Sequence, residues 1–332
     1  MDATPRRRRD ARSDTDRTTR VTDRQRQLFD LLDPHFHFKY LTSKWAHEFV
    51  GGNEQAFKFT LRNLFDAGYL DRPKQQKYSP NSNYKHLVYE RTEKTARAVS
   101  GGAPSERMLV HRSNSYAHEL IVDLGFSAPL WYAAAHDPAL KLYTAKDLIA
   151  GSAFDINSAN GIQRIMVPKV TRENPDPFLI HLKNNDAMRF DGTPFVLERK
   201  MAHGSASLIF VPGIEVDRDT EGFSSRNPKD PLRSTLSKHL LQIMDFFAER
   251  GFQRHFGFPM MMVPIITTNA TRMQSAMAFV EKEIGACRYL LFKTLPDLAL
   301  ESHFPAPSGE FFTSPWLRVR QPPFQFDERG FG

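Results

Sequence analysis

The sequence has a single cysteine, Cys287, in 332 residues. A disulfide framework and a cysteine-based zinc site are therefore excluded, and a reducing cytoplasm is the expected setting. No run of about 18 apolar residues occurs, so no membrane span is expected. The N-terminus lacks an apolar segment of the kind a secretory signal carries, so no such signal is expected. Acidic residues are in deficit: 38 Asp and Glu face 45 Lys and Arg, a net charge of +7. That balance favours a polyanionic partner, either nucleic acid or an acidic membrane surface. Phenylalanine is abundant, with 27 residues. The chain can thus fill real cores and is long enough for two ordinary domains.

Residues 1–22 hold seven arginines against four aspartates and almost nothing apolar. They read as a disordered basic tail able to add phosphate contacts. From Asp23 the pattern changes. Leu28, Leu31 and Leu32 give an apolar face to a first helix that stops before Pro34. Leu41 opens a second helix, capped by Thr42 or Ser43 and ended by Gly51-Gly52. A third runs from about Asn53 to Asp66, with Phe57, Leu61, Leu64 and Phe65 on one stripe. Gln55, Lys58, Phe59 and Arg62 lie off that stripe. Leu70 begins a strand, Ser79 to Asn83 reads as a hairpin tip, and Leu87-Val88-Tyr89 as the return strand.

Three short helices and a basic hairpin form the pattern of a winged helix-turn-helix, expected over 23–100. Gln55, Lys58 and Arg62 are then the candidates for a DNA major groove. Lys74, Lys77 and Lys85 are the candidates for phosphate on the wing. The alternative is a winged helix that only docks protein. His35-Phe36-His37 reads as a connection between helices rather than a metal motif, since it has no strand around it.

Ser100 to Ser105 opens a linker, taken as 101–110. A second domain is expected over 111–304. It begins with a long helix from about Ser113 to Ala135, broken near Pro129, and a short helical piece over Leu142 to Ala150. Ile162 to Val167 and Phe178 to Leu182 read as strands, and Asn184-Asn185-Asp186 as a hairpin turn. Two further short strands, around Phe195 and over Leu208 to Val211, lead to Glu215-Val216-Asp217. A helix from Ser234 to Arg250 follows, with Lys238, Gln242 and Asp245 opposite its apolar face. Met260 to Ile266 reads as a buried parallel strand, followed by a helix to about Ile284 and a strand over Arg288 to Lys293. Residues 305–332 are rich in Pro, Phe and Gly and read as an arm lying on the domain or on a partner, with Trp316 as its anchor.

Helix, strand meander, helix, strand, helix, strand is the order of a restriction-endonuclease-like core. The expected fold class is thus α+β / α/β: a winged helix followed by an α/β domain with a mixed central sheet. Such cores, of the PD-(D/E)xK type, carry carboxylates at strand ends that hold Mg²⁺ and a lysine that offsets charge on the phosphate. Asp191, Glu215 and Asp217 suit the carboxylate role, and Lys238 can supply the charge from the next helix. A competing frame is Asp186 with Glu198-Arg199-Lys200, a literal Glu-x-Lys. The first is preferred because Ile209 to Val216 is the more buried-looking strand.

With these elements in place, the runs "HEL", "RFDGTPFVLE", "GIEVDRDTE" and "TLSKHLLQIMDFF" look like the replication-relaxation family of plasmids and conjugative elements. The similarity covers roughly 23 to 295. The family includes relaxases of the MobC type with a catalytic half related to restriction endonucleases. The resemblance implies mobilization or replication work at a plasmid origin on double-stranded DNA, beside other replication or transfer proteins. It also implies a Mg²⁺ or Mn²⁺ cofactor at Asp191, Glu215 and Asp217 and a catalytic Lys238. The loop from Gly222 to Arg233 is longer than the family's usual one. A non-catalytic winged-helix regulator with a decayed nuclease fold is the alternative, and a protein-docking adaptor a further one.

Overall fold

A computed structural model describes residues 12, 20–34, 36–77, 87–99, 115–150, 176–182, 186–200, 206–220, 222–223, 235–295 and 306–327. The basic tail apart from Arg12 and residues 20–22, His35, the hairpin tip with Lys85, the linker and the strand expected at Ile162 to Val167 lie outside these residues. The chain divides into two compact units. One spans 1–106 with 301–307, and the other spans 107–300 with 308–332. The division falls inside the expected linker. Both units mix helix and sheet.

In the first unit α1 (Asp23–Leu31) starts with a capping box, in which Thr22 and Gln25 satisfy each other's backbone N–H groups. Leu41–Thr42 is a strand, β1, rather than the opening of a helix. Thr42 then accepts from the Trp45 N–H and caps α2 (Ser43–Val50). Asn53 caps α3 (Glu54–Asp66), which buries Phe57, Leu61, Leu64 and Phe65 as the stripe requires. β2 (Leu70–Asp71) is followed by one helical turn, α4 (Lys74–Lys77), where a wing strand is expected from the sequence. Gln76 explains the turn: it is buried, accepts from the Val88 N–H and donates to the Val88 carbonyl. β3 (Val88–Arg91) pairs antiparallel with both β1 and β2, and α5 (Glu93–Val99) closes the unit.

The second unit opens with α6 (Tyr116–Leu120), a π-helical stretch over Ile121–Ser127, and α7 (Ala128–His136). The π stretch is the form taken by the expected break. Pro129 has no N–H to give to residue 125, so the ladder widens and Ala128 donates to the Asp123 carbonyl, five residues back. β4 (Leu140–Thr144) is a strand in the first half of the expected helical piece, and Asp147 and Thr144 then cap α8 (Ala145–Ala150). β5 (Ile180–His181) and β6 (Ala187–Met188) pair as the expected hairpin.

β7 (Phe195–Lys200) pairs antiparallel with β4 and with β8 (Ala206–Val211). The same strand resumes after Pro212-Gly213-Ile214 as β9 (Glu215–Asp217). α9 (Leu236–Ala248) and α10 (Gly251–Phe256) lead to β10 (Val263–Thr267), buried at every position. β10 lies parallel to β9 and, across α11 (Ala270–Ile284), to β11 (Cys287–Thr294). Phe210 bridges Met261, so the antiparallel meander and the parallel strands meet at the end of β8.

The C-terminal residues are not an arm. After α12 (Glu310–Thr313), β12 (Trp316–Val319) pairs antiparallel with β11, and β13 (Gln321–Phe324) pairs with β12. Pro322 and Pro323 are tolerated because β13 is an edge strand whose register with β12 shifts beside them. Trp316 is fully buried against Phe126 and Phe326. Among the described residues no helix is long and apolar enough to cross a membrane.

Candidate functional site

The break between β8 and β9 builds the site. Gly213 has φ 141°, and a Cβ there would meet the Asp191 carbonyl at 2.5 Å. Its absence lets Asp191 pair with Ile214 through two backbone hydrogen bonds of 2.8 and 2.9 Å. The Asp191 side chain then accepts from the Val216 N–H at 3.0 Å. Asp191 is thus fixed beside Glu215, the first residue of β9, although the two are far apart in sequence.

Each of these carboxylates meets an imidazole. His118, one turn into α6, puts Nε2 3.0 Å from Asp191 Oδ1, an ion-pair distance without the alignment of a good hydrogen bond. His239 on α9 puts Nδ1 2.7 Å from Glu215 Oε1. Burial disfavours protonation of His118, but Asp191, with Glu119 and Glu215 behind it, outweighs burial and raises the His118 pKa above its ordinary value. Burial pushes the Glu215 pKa up, and the Asp191 charge adds to it against His239 and His118. His239 offsets more than the Asp191 repulsion, so the rise that remains at Glu215 is the work of burial.

Asp217, on the same face of β9, is engaged differently. Arg272 on α11 binds both its oxygens, and the Asp219 N–H donates to Oδ1. Both side chains of this ion pair are less than a tenth exposed. Lys238 turns away to Asp186, 3.6 Å from Oδ2, where Gln242 also donates. In the competing frame Asp186 is therefore held by α9, Glu198 accepts from the Tyr143 hydroxyl at 2.5 Å, and Lys200 is exposed.

An open cavity of about 690 Å³ lies over Asp191 and Glu215. His118, His239, Arg189 and Arg218 line it with Asp217 at its wall. Arg218 donates to the Ser115 hydroxyl, and Arg189 is paired with the buried Asp176. A cleft with two acids at its floor and four basic groups around them suits a bound phosphodiester.

Among the described residues no group of three or more His, Cys, Asp or Glu side chains is set to hold a metal ion. Mg²⁺, however, keeps several waters and takes one or two protein carboxylates. Asp191 and Glu215 fit that role, because both face one cleft and a cation there would offset the burial that disfavours the Glu215 charge. Asp217 does not, since Arg272 already occupies both its oxygens.

Sequence reasoning passed over His239, His118 and Arg272. A signal existed for His239: it stands three residues after buried Leu236 and four before buried Ile243, at the edge of the apolar stripe that faces the sheet. Lys238 is one residue further round. For His118 and Arg272 the partners come from distant segments, so spacing gave no signal.

In the first unit Gln55, Lys58 and Arg62 are exposed on α3. Lys58 pairs with Glu54 at 2.8 Å, and Arg62 approaches Asp66 at 3.9 Å. Lys74 is exposed on α4, and Lys77 ends that turn. No family model matches the chain, and no match is found among curated proteins or solved structures.

Proposed function

We propose that this is a DNA-processing protein of a plasmid or mobile element. Its first unit is a winged helix that binds duplex DNA through α3. Its second is a restriction-endonuclease-like core that nicks or relaxes DNA with Mg²⁺ or Mn²⁺. One observation carries the reading: Asp191 and Glu215 come from separate segments to one cleft, where basic side chains surround them. The topology supports it too, since an antiparallel meander passes into parallel strands between β8 and β9, where Asp191 bridges Ile214 and Glu215 opens β9.

In this reading Asp191 and Glu215 hold the divalent cation, which when bound polarises the phosphate and acidifies a water. His118 and His239 fix the carboxylates in place. Arg218 and Arg189 take up negative charge on the phosphate oxygens. Lys238 stands outside the lining of the cleft. Its exposed pairing with Asp186 is weak enough to be exchanged for phosphate.

A second reading is a regulator that binds DNA without cutting it. The observation favouring it is that all three acids already have internal basic partners. The test is supercoiled plasmid carrying a duplex site selected by the protein itself, incubated with Mg²⁺ or Mn²⁺. Open circles lost on Asp191→Ala or Glu215→Ala, by more than about a hundredfold in rate, support the enzyme. Tight binding with the plasmid still supercoiled supports the regulator.

A further inference from the structure

We infer that Phe59 reads the C5 methyl group of thymine when α3 lies in a major groove, an inference that rests on the DNA-binding reading of the first unit. Phe59 is 57% exposed, the most exposed large apolar side chain among the described residues. The fold does not need it, because Phe57, Leu61, Leu64 and Phe65 already complete the buried stripe of α3. Its neighbours one turn away are Gln55, Ala56, Arg62 and Asn63, with Lys58 adjacent, and all are exposed.

A single ring among amide groups and cations matches what a major groove offers. Base edges present donors and acceptors, phosphates present charge, and the thymine methyl is the only apolar group. A protein-docking patch would instead cluster several large apolar side chains, and on α3 Phe59 has only the single methyl group of Ala56 beside it. The ion pairs of Lys58 with Glu54 and Arg62 with Asp66 are surface pairs of little worth, so both cations can turn to phosphate or base.

The test uses the full-length protein and duplexes enriched from a random-sequence library, remade with deoxyuridine replacing thymidine one position at a time. For the wild type, one replacement should weaken binding about fourfold, the worth of one buried methyl group. Phe59→Ala should bind the thymine duplex at least that much more weakly and lose nothing further on the uracil duplex. Its melting temperature should match the wild type, because the ring is exposed. Equal losses on uracil for both proteins, or no thymine whose methyl matters, overturn the inference while DNA binding stands. Phe59→Ala with unchanged DNA affinity but lost self-association on a sizing column would place the ring in a protein contact and also overturn it. If the wild type enriches no duplex at all, the DNA-binding reading falls and this inference with it.

Discussion

In the first unit the charged residues of interest stand in water on α3, on the side away from its buried stripe of Phe57, Leu61, Leu64 and Phe65. In the second they are wholly or partly buried: Asp217 with Arg272 fully, Glu215 with His239 and Asp191 with His118 in part. Water screens the first set, so each charge acts almost alone and can be replaced without harm to the fold. Burial couples the second set, so each charge has a structural cost and changing one disturbs its partner. A binding face can therefore be read from periodicity. A buried site must be read from pairs that only the tertiary structure brings together.

The largest effect should follow from breaking a buried pair. Arg272→Ala leaves Asp217 buried without its cation and should cost about 3–5 kcal/mol, read from urea or thermal unfolding. Removing Asp217 as well should restore much of that stability. Equal losses in the single and double variants would mean that Arg272 acts through packing. On the exposed side of the comparison, Lys58→Glu with Arg62→Glu should leave unfolding unchanged and abolish selective DNA binding. Each lost base contact is worth about 1–3 kcal/mol. Wild-type affinity in that double variant, measured at physiological salt, would remove α3 from the interface.

A smaller effect sharpens the contrast between buried and exposed charge. Lys293 on β11 donates to the carbonyls of Phe311 and Ser314 and to the Ser314 hydroxyl, and so ties β11 to the C-terminal hairpin. Burial pushes its amine down to about 8, from 10.5. Between those values the unfolded chain holds more protons than the folded one, so stability contributed here rises with pH across that window. The stability difference between wild type and Lys293→Met should shift in favour of the wild type from pH 8 to 10.5. A difference that stays flat would show that the three oxygens keep the amine charged throughout.

Much of the fold was legible. The stripe of α3, the cap at Thr42 or Ser43, and the apolar run of β10 each fixed an element in place. What escaped has local physical causes. β4 is too short for alternation to separate it from the helix that follows. Pro322 and Pro323 suggested an arm because proline is excluded from central strands, yet β13 lies at an edge. The π stretch is a response to Pro129 that no periodicity predicts. The acids of the site could be picked out at strand ends, where Gly213 and Gly192 mark tight backbone. Of their histidine partners, His239 left a trace at the edge of the α9 stripe, while His118 left none in spacing, since α6 lies about a hundred residues before β9.

The central claim is that Asp191 and Glu215 form a cation site on the way to a phosphodiester. Titrating Mn²⁺ into the full-length protein in a calorimeter tests it most directly. The account predicts saturable binding to the wild type, lost in Asp191→Ala and in Glu215→Ala and retained in Lys238→Ala. No Mn²⁺ binding by a wild-type protein that still binds duplex DNA would contradict it.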